Sequence, residues 1–205
     1  KVVVIFGSSI TKYLSSTKLE GSSDIKVINL SASGSKIYNI CGAMDSFYTG
    51  EHTYFKSDNA IPIDDMIITK VIISVGTNDI LQCKPHTINR LYIPLQNMMR
   101  KAKLLFNTEV LIQSVLPIPT FDNSIISDVH AFNKMCIQLC RNMRCRFIDV
   151  LYKFLDSDRY PDEKLYRYDT RRNRLDIHLS RDGLVVLGMA YIKCLRDRYD
   201  PFVNC

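Results

Sequence analysis

Five short apolar runs, each followed by a segment with helical periodicity, constrain the fold of this chain more than any other feature. The runs cover residues 2–6, 25–30, 70–75, 109–114 and 146–150. Strands without polar interruption are typical of a parallel sheet buried on both faces, and parallel strands need helical crossovers between them. The pattern therefore predicts an α/β fold with a doubly wound, five-stranded parallel sheet between two layers of helices.

The first run ends at Gly7 and is followed by Ser8 and Ser9. A glycine permits a sharp turn here, and either serine can cap a helix that begins directly after it, where free amides favour negative charge. This place, at the carboxyl end of a parallel strand, is where open α/β sheets bind ligands. Two interpretations are open: a hydroxyl exposed for chemistry, or a helix cap and turn with no other role.

Apolar spacing predicts the other helices over residues 35–47, 88–105, 125–143 and from the 178–183 segment to about 199. Pro94 lies inside the second of these and predicts a kink or a restart. Residues 50–66 are polar, aromatic and interrupted by proline, which indicates an irregular insertion. Within it, we interpret the adjacent Asp64 and Asp65 as a solvated turn and not as a catalytic pair.

Length and composition describe one globular domain over residues 1–205, with a net charge of +6 that permits an anionic partner without requiring one. The chain begins on a strand without methionine, so we expect a domain excised from a longer protein. Seven cysteines without a CxxC pair predict free thiols in a reducing, intracellular compartment. Cys136 and Cys140 share a helix face but lack a matching ligand pair, so no metal site is predicted. No stretch is long enough for a transmembrane helix.

Basic and aromatic residues alternate between residues 156 and 174. The set comprises Arg159, Lys164, Arg167, Arg171, Arg172 and Arg174 with Tyr160, Tyr166 and Tyr168. Such a mixture can contact phosphates and stack on bases, which makes nucleic acid a possible partner through Arg171, Arg172 and Arg174. Five acidic residues dilute the cluster, and a solvated loop is the favoured interpretation.

Polar residues at the ends of three strands and before the last helix suit acyl transfer, which needs a nucleophile, a base and donors to the oxyanion. Ser9 supplies a hydroxyl and His178 a base of near-neutral pKa. The Ser9 amide, the Gly34 amide and the Asn78 side chain would be the three donors. The other histidines, His52, His86 and His130, have no spacing that suggests ligation.

These residues lie in four blocks that resemble the SGNH (GDSL-type) hydrolases. The blocks are GSSI at 7–10, Gly34, GTND at 76–79 and HLSxxG at 178–183, in the family's order over nearly the whole chain. The resemblance implies a flavodoxin-like three-layer α/β/α sandwich and ester hydrolysis without metal or cofactor. It also implies that Ser9 is the nucleophile, that His178 is the base, and that Ser9, Gly34 and Asn78 form the oxyanion hole. Asn133 and Asp149 fall where the family often has these residue types.

Two departures from the family pattern bear on activity. Ser8 replaces the aspartate of the first block, and Leu175 stands where an aspartate three residues before the histidine is usual. Asp176, one step later, is the candidate triad acid, with a backbone carbonyl as the alternative. The sequence thus predicts a serine esterase that hydrolyses a small acyl ester through an acyl-enzyme.

The alternative is a weak or inactive SGNH-like module that binds nucleic acid or a protein partner. The compact, basic, cysteine-containing chain is also similar to the esterase domains of some retrotransposon and viral polyproteins, which would imply a parent protein associated with nucleic acid.

Overall fold

The computed structural model describes residues 1–21, 24–57, 60–84, 87–120 and 122–196. A five-stranded parallel sheet in the order β2-β1-β3-β4-β5 lies at its centre. The strands are β1 (Val2–Gly7), β2 (Lys26–Asn29), β3 (Ile68–Ser74), β4 (Glu109–Gln113) and β5 (Arg146–Ile148). All five lie within a few residues of the apolar runs, and the predicted fold class is confirmed.

Helices cover both faces of the sheet. They are α1 (Ser16–Glu20), α2 (Ile37–Tyr48), α3 (Thr77–Gln82), α4 (Tyr92–Phe106), α5 (Asn123–Met143) and α6 (Arg181–Arg196). Successive side chains of β1 alternate between two cores: Val4 packs with residues of α2, α4 and α5, whereas Ile5 packs with residues of α1 and α6. This alternation explains why the first strand tolerates no polar residue.

The region around Pro94 shows a restart and not a kink. A 3₁₀ turn over Ile88–Leu91 leads into α4, and Pro94 occupies the first turn of that helix, where a backbone N–H has no acceptor within the helix. The described residues of the 50–66 segment, 50–57 and 60–66, contain two short 3₁₀ turns, Thr53–Lys56 and Ile63–Asp65. Asp64 and Asp65 are exposed there, in agreement with a solvated turn.

The prediction that a helix begins directly after Ser8 or Ser9 is wrong. Residues 9–13 form turns, and α1 begins only at Ser16, with Ser15 as its N-cap. The reason is a long-range contact, since the Asn29 side-chain amide donates to the carbonyls of Thr11 and Leu14, at 2.9 and 3.1 Å. These carbonyls are thereby held by β2, so Ser9 lies in a turn and not at a helix N-terminus.

The interpretation of residues 156–174 as a loop throughout is wrong for its second half, and the last helix does not open at His178. Strands β6 (Tyr166–Asp169) and β7 (Arg174–Leu179) form an antiparallel hairpin outside the main sheet. His178 therefore lies on a strand, and α6 begins after it, at Arg181. The expected end of that helix, near residue 199, falls outside the described residues.

In the described part of the chain no helix is long and apolar enough to cross a membrane. The six cysteines described there are free thiols, and four of them are buried. Burial raises the pKa of Cys145 to about 11, and it also raises the pKa of Cys136 and Cys140. The seventh cysteine, Cys205, lies outside the described residues.

Gly7 is required by a close approach. A Cβ at this position would lie 2.0 Å from Thr11 Oγ1 and 2.7 Å from Ser31 Oγ. Gly7→Ala should therefore displace the Ser9 turn and lower the free energy of unfolding by about 1–3 kcal/mol, measured by urea denaturation.

The matched control is Gly42→Ala on the exposed face of α2, where a Cβ meets nothing within 4 Å. Gly42→Ala should raise the free energy of unfolding by about 0.5–1 kcal/mol, because alanine favours the helix over glycine. Equal effects of the two substitutions would contradict the steric explanation.

Candidate active site

The turn that carries Ser9 is held by a network that reaches across to the end of β2. Ser31 Oγ donates to Asn29 Oδ1 at 2.6 Å, and the hydroxyls of Thr11 and Ser31 are 2.8 Å apart. Ser8, which replaces the family's aspartate, is buried, and its carbonyl accepts from the Thr11 amide at 3.2 Å. Sequence reasoning missed Thr11, Asn29 and Ser31. An asparagine at the end of an otherwise apolar strand was the signal that could have indicated the network.

The three predicted oxyanion donors follow β1, β2 and β3: Ser9 and Gly34 lie on loops, and Asn78 lies in the first turn of α3. Gly34 has φ +76°, a conformation that favours glycine. Asn78 Nδ2 donates to the carbonyl of Ser35 at 3.0 Å, which ties the start of α3 to the loop after β2. A side-chain amide carries two hydrogens, so one remains for another acceptor. Within the described part of the chain, the backbone amides of Ser9 and Gly34 donate no hydrogen bond.

Asp79 braces the same loops. Its Oδ1 accepts from the Ile37 amide at 3.3 Å, where α2 begins. Its Oδ2 is buried and has no hydrogen-bond partner among the described residues. Burial, opposed by the hydrogen bond from Ile37, raises the pKa of Asp79 to about 6. Asp79 therefore braces the start of α2 through a backbone hydrogen bond.

A raised carboxyl pKa has a defined effect on stability. Between about pH 4 and pH 6 the folded chain retains the Asp79 proton that the unfolded chain releases, so stability falls as the pH rises through this window and stays lower above it. Asp79→Asn keeps an acceptor for Ile37 and removes the charge. Relative to the parent, its free energy of unfolding should rise by up to about 3 kcal/mol from pH 4 to pH 7, measured by urea denaturation. The exposed Asp64→Asn should show no such slope, and parallel curves for Asp79→Asn would contradict the assignment.

His178 and Asp176 form a hydrogen-bonded pair on β7. The His178 Nδ1 to Asp176 Oδ2 distance is 2.6 Å, and both side chains are about one third exposed. The register of the hairpin is irregular over this stretch, between the Tyr166–Leu179 and Tyr168–Leu175 pairs, and the two side chains meet there. Partial burial acts to raise the pKa of Asp176, but the hydrogen bond and charge of His178 outweigh it and lower that pKa. The pair orients the imidazole with Nε2 away from the carboxylate.

Ser180 and Gly183 of the HLSxxG block fix β7 relative to α6. The Ser180 hydroxyl donates to the Lys164 carbonyl at 2.7 Å and accepts from the Gly183 amide at 3.1 Å. The Ser180 amide also donates to the Leu165 carbonyl at 3.0 Å. The motif therefore describes an anchor for the strand that carries the histidine.

Arg167 of β6 joins the hairpin to the Ser9 turn. Its guanidinium carbon lies 5.1 Å from the centre of the Tyr13 ring, and its Nε donates to the Leu179 carbonyl at 3.0 Å. Nothing in the sequence indicated this contact. Across the described residues, no direct hydrogen bond joins Ser9 to His178. Catalytic hydrogen bonds often tighten only when substrate binds.

Three of the remaining polar residues form hydrogen bonds with the backbone. Asn133 is buried and exchanges two hydrogen bonds with the backbone of Val115, at 2.7 and 2.9 Å. Asp149 accepts from the Leu151 amide at 3.2 Å. His52 Nδ1 accepts from the Tyr54 amide. His130 is exposed on α5, and His86 lies outside the described residues.

Arg171, Arg172 and Arg174 lie exposed at the turn end of the hairpin. Asp169 accepts from the Arg171 amide at 3.0 Å and lies 3.6 Å from Arg172 Nε. Arg172 and Arg174 also line a cavity of about 270 Å³ beside Asp176. The hairpin therefore brings the predicted nucleic-acid residues close to the predicted catalytic pair.

Comparison with known proteins gives no match to a family model and none to a curated protein by sequence. Solved structures do match. A lipolytic G-D-S-L family protein from Veillonella parvula has a TM-score of 0.71 at 14% identity, covering 94% of this chain and 96% of its own. A GDSL-like lipase from Bacteroides thetaiotaomicron has a TM-score of 0.69 at 14% identity, covering 95% and 87%. The OSK domain of Drosophila Oskar has a TM-score of 0.65 at 12% identity, covering 94% and 88%.

The chain therefore has the fold of the GDSL/SGNH hydrolases, as its motifs predicted. At 12% to 14% identity the likeness is one of fold. One of these similar structures is not named as a hydrolase, so the fold alone does not define the activity.

Proposed function

We propose that the chain is a serine esterase that hydrolyses a small acyl ester through an acyl-enzyme. The observation that carries this proposal is the 2.6 Å hydrogen bond between Asp176 and His178. It supplies an oriented base although the family's aspartate position is occupied by Leu175.

The mechanism assigns one step to each group. Ser9 Oγ attacks the ester carbonyl carbon while His178 Nε2 takes the hydroxyl proton, and Asp176 stabilises the resulting imidazolium. The oxyanion accepts hydrogen bonds from the amides of Ser9 and Gly34 and from Asn78 Nδ2. When the C–O bond breaks, the leaving alkoxide takes the proton from His178. Water then attacks the acyl-enzyme by the same route and releases the acid.

The test is pre-steady-state hydrolysis of 4-nitrophenyl acetate and 4-nitrophenyl valerate by the purified chain. An acyl-enzyme predicts a burst of nitrophenolate that approaches one equivalent per chain, followed by slower turnover. Release at the buffer rate by a folded chain would contradict the proposal.

The hairpin favours a second candidate, a nucleic-acid-binding module. Tyr160 and Tyr168 are 60% and 55% exposed beside the exposed Arg171, Arg172 and Arg174, a mixture suited to stacking and phosphate contact. Binding of single-stranded RNA that weakens steeply with salt, is lost when all three arginines become glutamine, and occurs without ester turnover would favour this candidate over the esterase.

A further inference from the structure

The cavity beside Asp176 combines an apolar wall with a basic rim. Its apolar part is formed from the end of α3, the segment after β4, the start of α5 and β7. These residues are Leu81, Ile118, Pro119, Ile125, Leu175 and Ile177. A volume of about 270 Å³ lies below the usual range for drug-sized ligands, which suits part of a small ester. Asp176 forms part of the wall and also holds His178 Nδ1, so the cavity lies on the carboxylate side of the proposed catalytic base.

The two carboxylates that line this cavity, Asp169 and Asp176, already form hydrogen bonds within the protein. Asp169 accepts from the Arg171 and Arg172 amides and pairs with Arg172 Nε. Asp176 accepts from His178 and from the Ile177 amide at 2.7 Å. Both acids are therefore engaged within the protein.

Arg174, unlike these two carboxylates, forms no ion pair with another described residue. It lies directly across the hairpin from Asp169, yet among the described residues no carboxylate comes within 4.0 Å of its guanidinium nitrogens. The donors of Arg174 and the terminal N–H groups of Arg172 are consequently open to a ligand. A guanidinium presents paired donors that match a carboxylate or phosphate.

We infer that this cavity is the subsite for an anionic group of the substrate, bound by Arg174 with Arg172, so that the preferred ester carries a carboxylate or phosphate on its acyl or leaving-group side. This inference rests on the proposed esterase activity. The apolar wall would hold the carbon chain between the ester carbonyl and the anion, and the arginines at the rim would hold its charged end.

Two matched pairs of substrates test the inference and distinguish the two sides of the ester. For the acyl side, mono-4-nitrophenyl glutarate is compared with 4-nitrophenyl valerate. For the leaving-group side, 4-acetoxybenzoate is compared with 4-acetoxybenzamide. The measured quantity is the ratio of kcat/KM for the anionic ester to that for the neutral ester, after subtraction of the enzyme-free rate.

For at least one pair, Arg174→Gln should lower this ratio about tenfold, the usual effect of removing one charge-assisted hydrogen bond. Salt should lower the ratio in the parent as well. The control is Arg141→Gln, which makes the same change of charge near the far end of α5, about 24 Å along the helix from Ile125. It should leave the ratio within twofold.

The possible failures are distinguishable. If the neutral esters are hydrolysed but Arg174→Gln leaves both ratios unchanged, or if Arg141→Gln lowers them equally, the anionic subsite is wrong and the esterase stands. If none of the four esters is hydrolysed by the folded chain, the proposed function fails and this inference fails with it.

Discussion

Ser9→Ala is expected to reduce ester turnover by about four orders of magnitude or more and to abolish the nitrophenolate burst. In the proposed mechanism the Ser9 hydroxyl forms the covalent bond to the acyl group, and alanine has no nucleophile to take its place. Loss of a catalytic serine in serine proteases leaves only the rate provided by binding and the oxyanion hole. The measurement is kcat for 4-nitrophenyl acetate, with folding checked by circular dichroism.

Ser8→Ala is the matched control. Ser8 is buried beside Ser9, its hydroxyl has no hydrogen-bond partner among the described residues, and its carbonyl, which supports the turn, is retained by alanine. Its kcat should stay within a few-fold of the parent. Equal losses in both variants would indicate damage to the turn, and an active Ser9→Ala would exclude Ser9 as the nucleophile.

Asp176→Asn should lower kcat by about four orders of magnitude, as the equivalent change does in a serine protease. The Asp176 carboxylate accepts a hydrogen bond from His178 Nδ1–H. An asparagine amide can instead donate a hydrogen bond to Nδ1. The imidazole proton would then move to Nε2, which could no longer take the proton of Ser9. Because His178 lowers the pKa of Asp176, the carboxylate is charged throughout the neutral range. The measurement is kcat between pH 6 and pH 9.

The control for this substitution is Asp182→Asn, in the exposed first turn of α6. It removes the same charge four residues from His178 and should change kcat by no more than a few-fold. A similarly small effect of Asp176→Asn would show that another group, such as a backbone carbonyl, orients the ring.

The sheet was predictable from the sequence because each of its strands is buried on both faces. That environment leaves a continuous apolar run, as at residues 2–6 and 70–75, which local reasoning detects. The turn at Ser9 was not predictable in the same way. Its conformation depends on Asn29, whose side-chain amide donates hydrogen bonds to two backbone carbonyls that lie 18 and 15 residues earlier in the chain. Hydrogen bonds of this range leave no periodic signal.

The hairpin was hidden for a different reason. Strands β6 and β7 lie outside the main sheet, and most of their side chains are exposed or only partly buried, so charged residues interrupt the alternation that predicts a strand. The histidine motif identified His178, but its contact with Asp176 depends on the irregular register of the hairpin, which no local pattern indicates. The oxyanion candidates followed from motifs, whereas Arg167 is defined by contacts with Tyr13 and Leu179 that the sequence does not encode locally.

Intact-mass labelling with a fluorophosphonate reports whether Ser9 is activated, because the probe reacts with an activated serine and needs no knowledge of the natural ester. The parent should gain the mass of one probe, and Ser9→Ala and His178→Ala should gain none under the same conditions. A folded parent that stays unlabelled, or equal labelling of the parent and both variants, would contradict the assignment of Ser9 as the nucleophile.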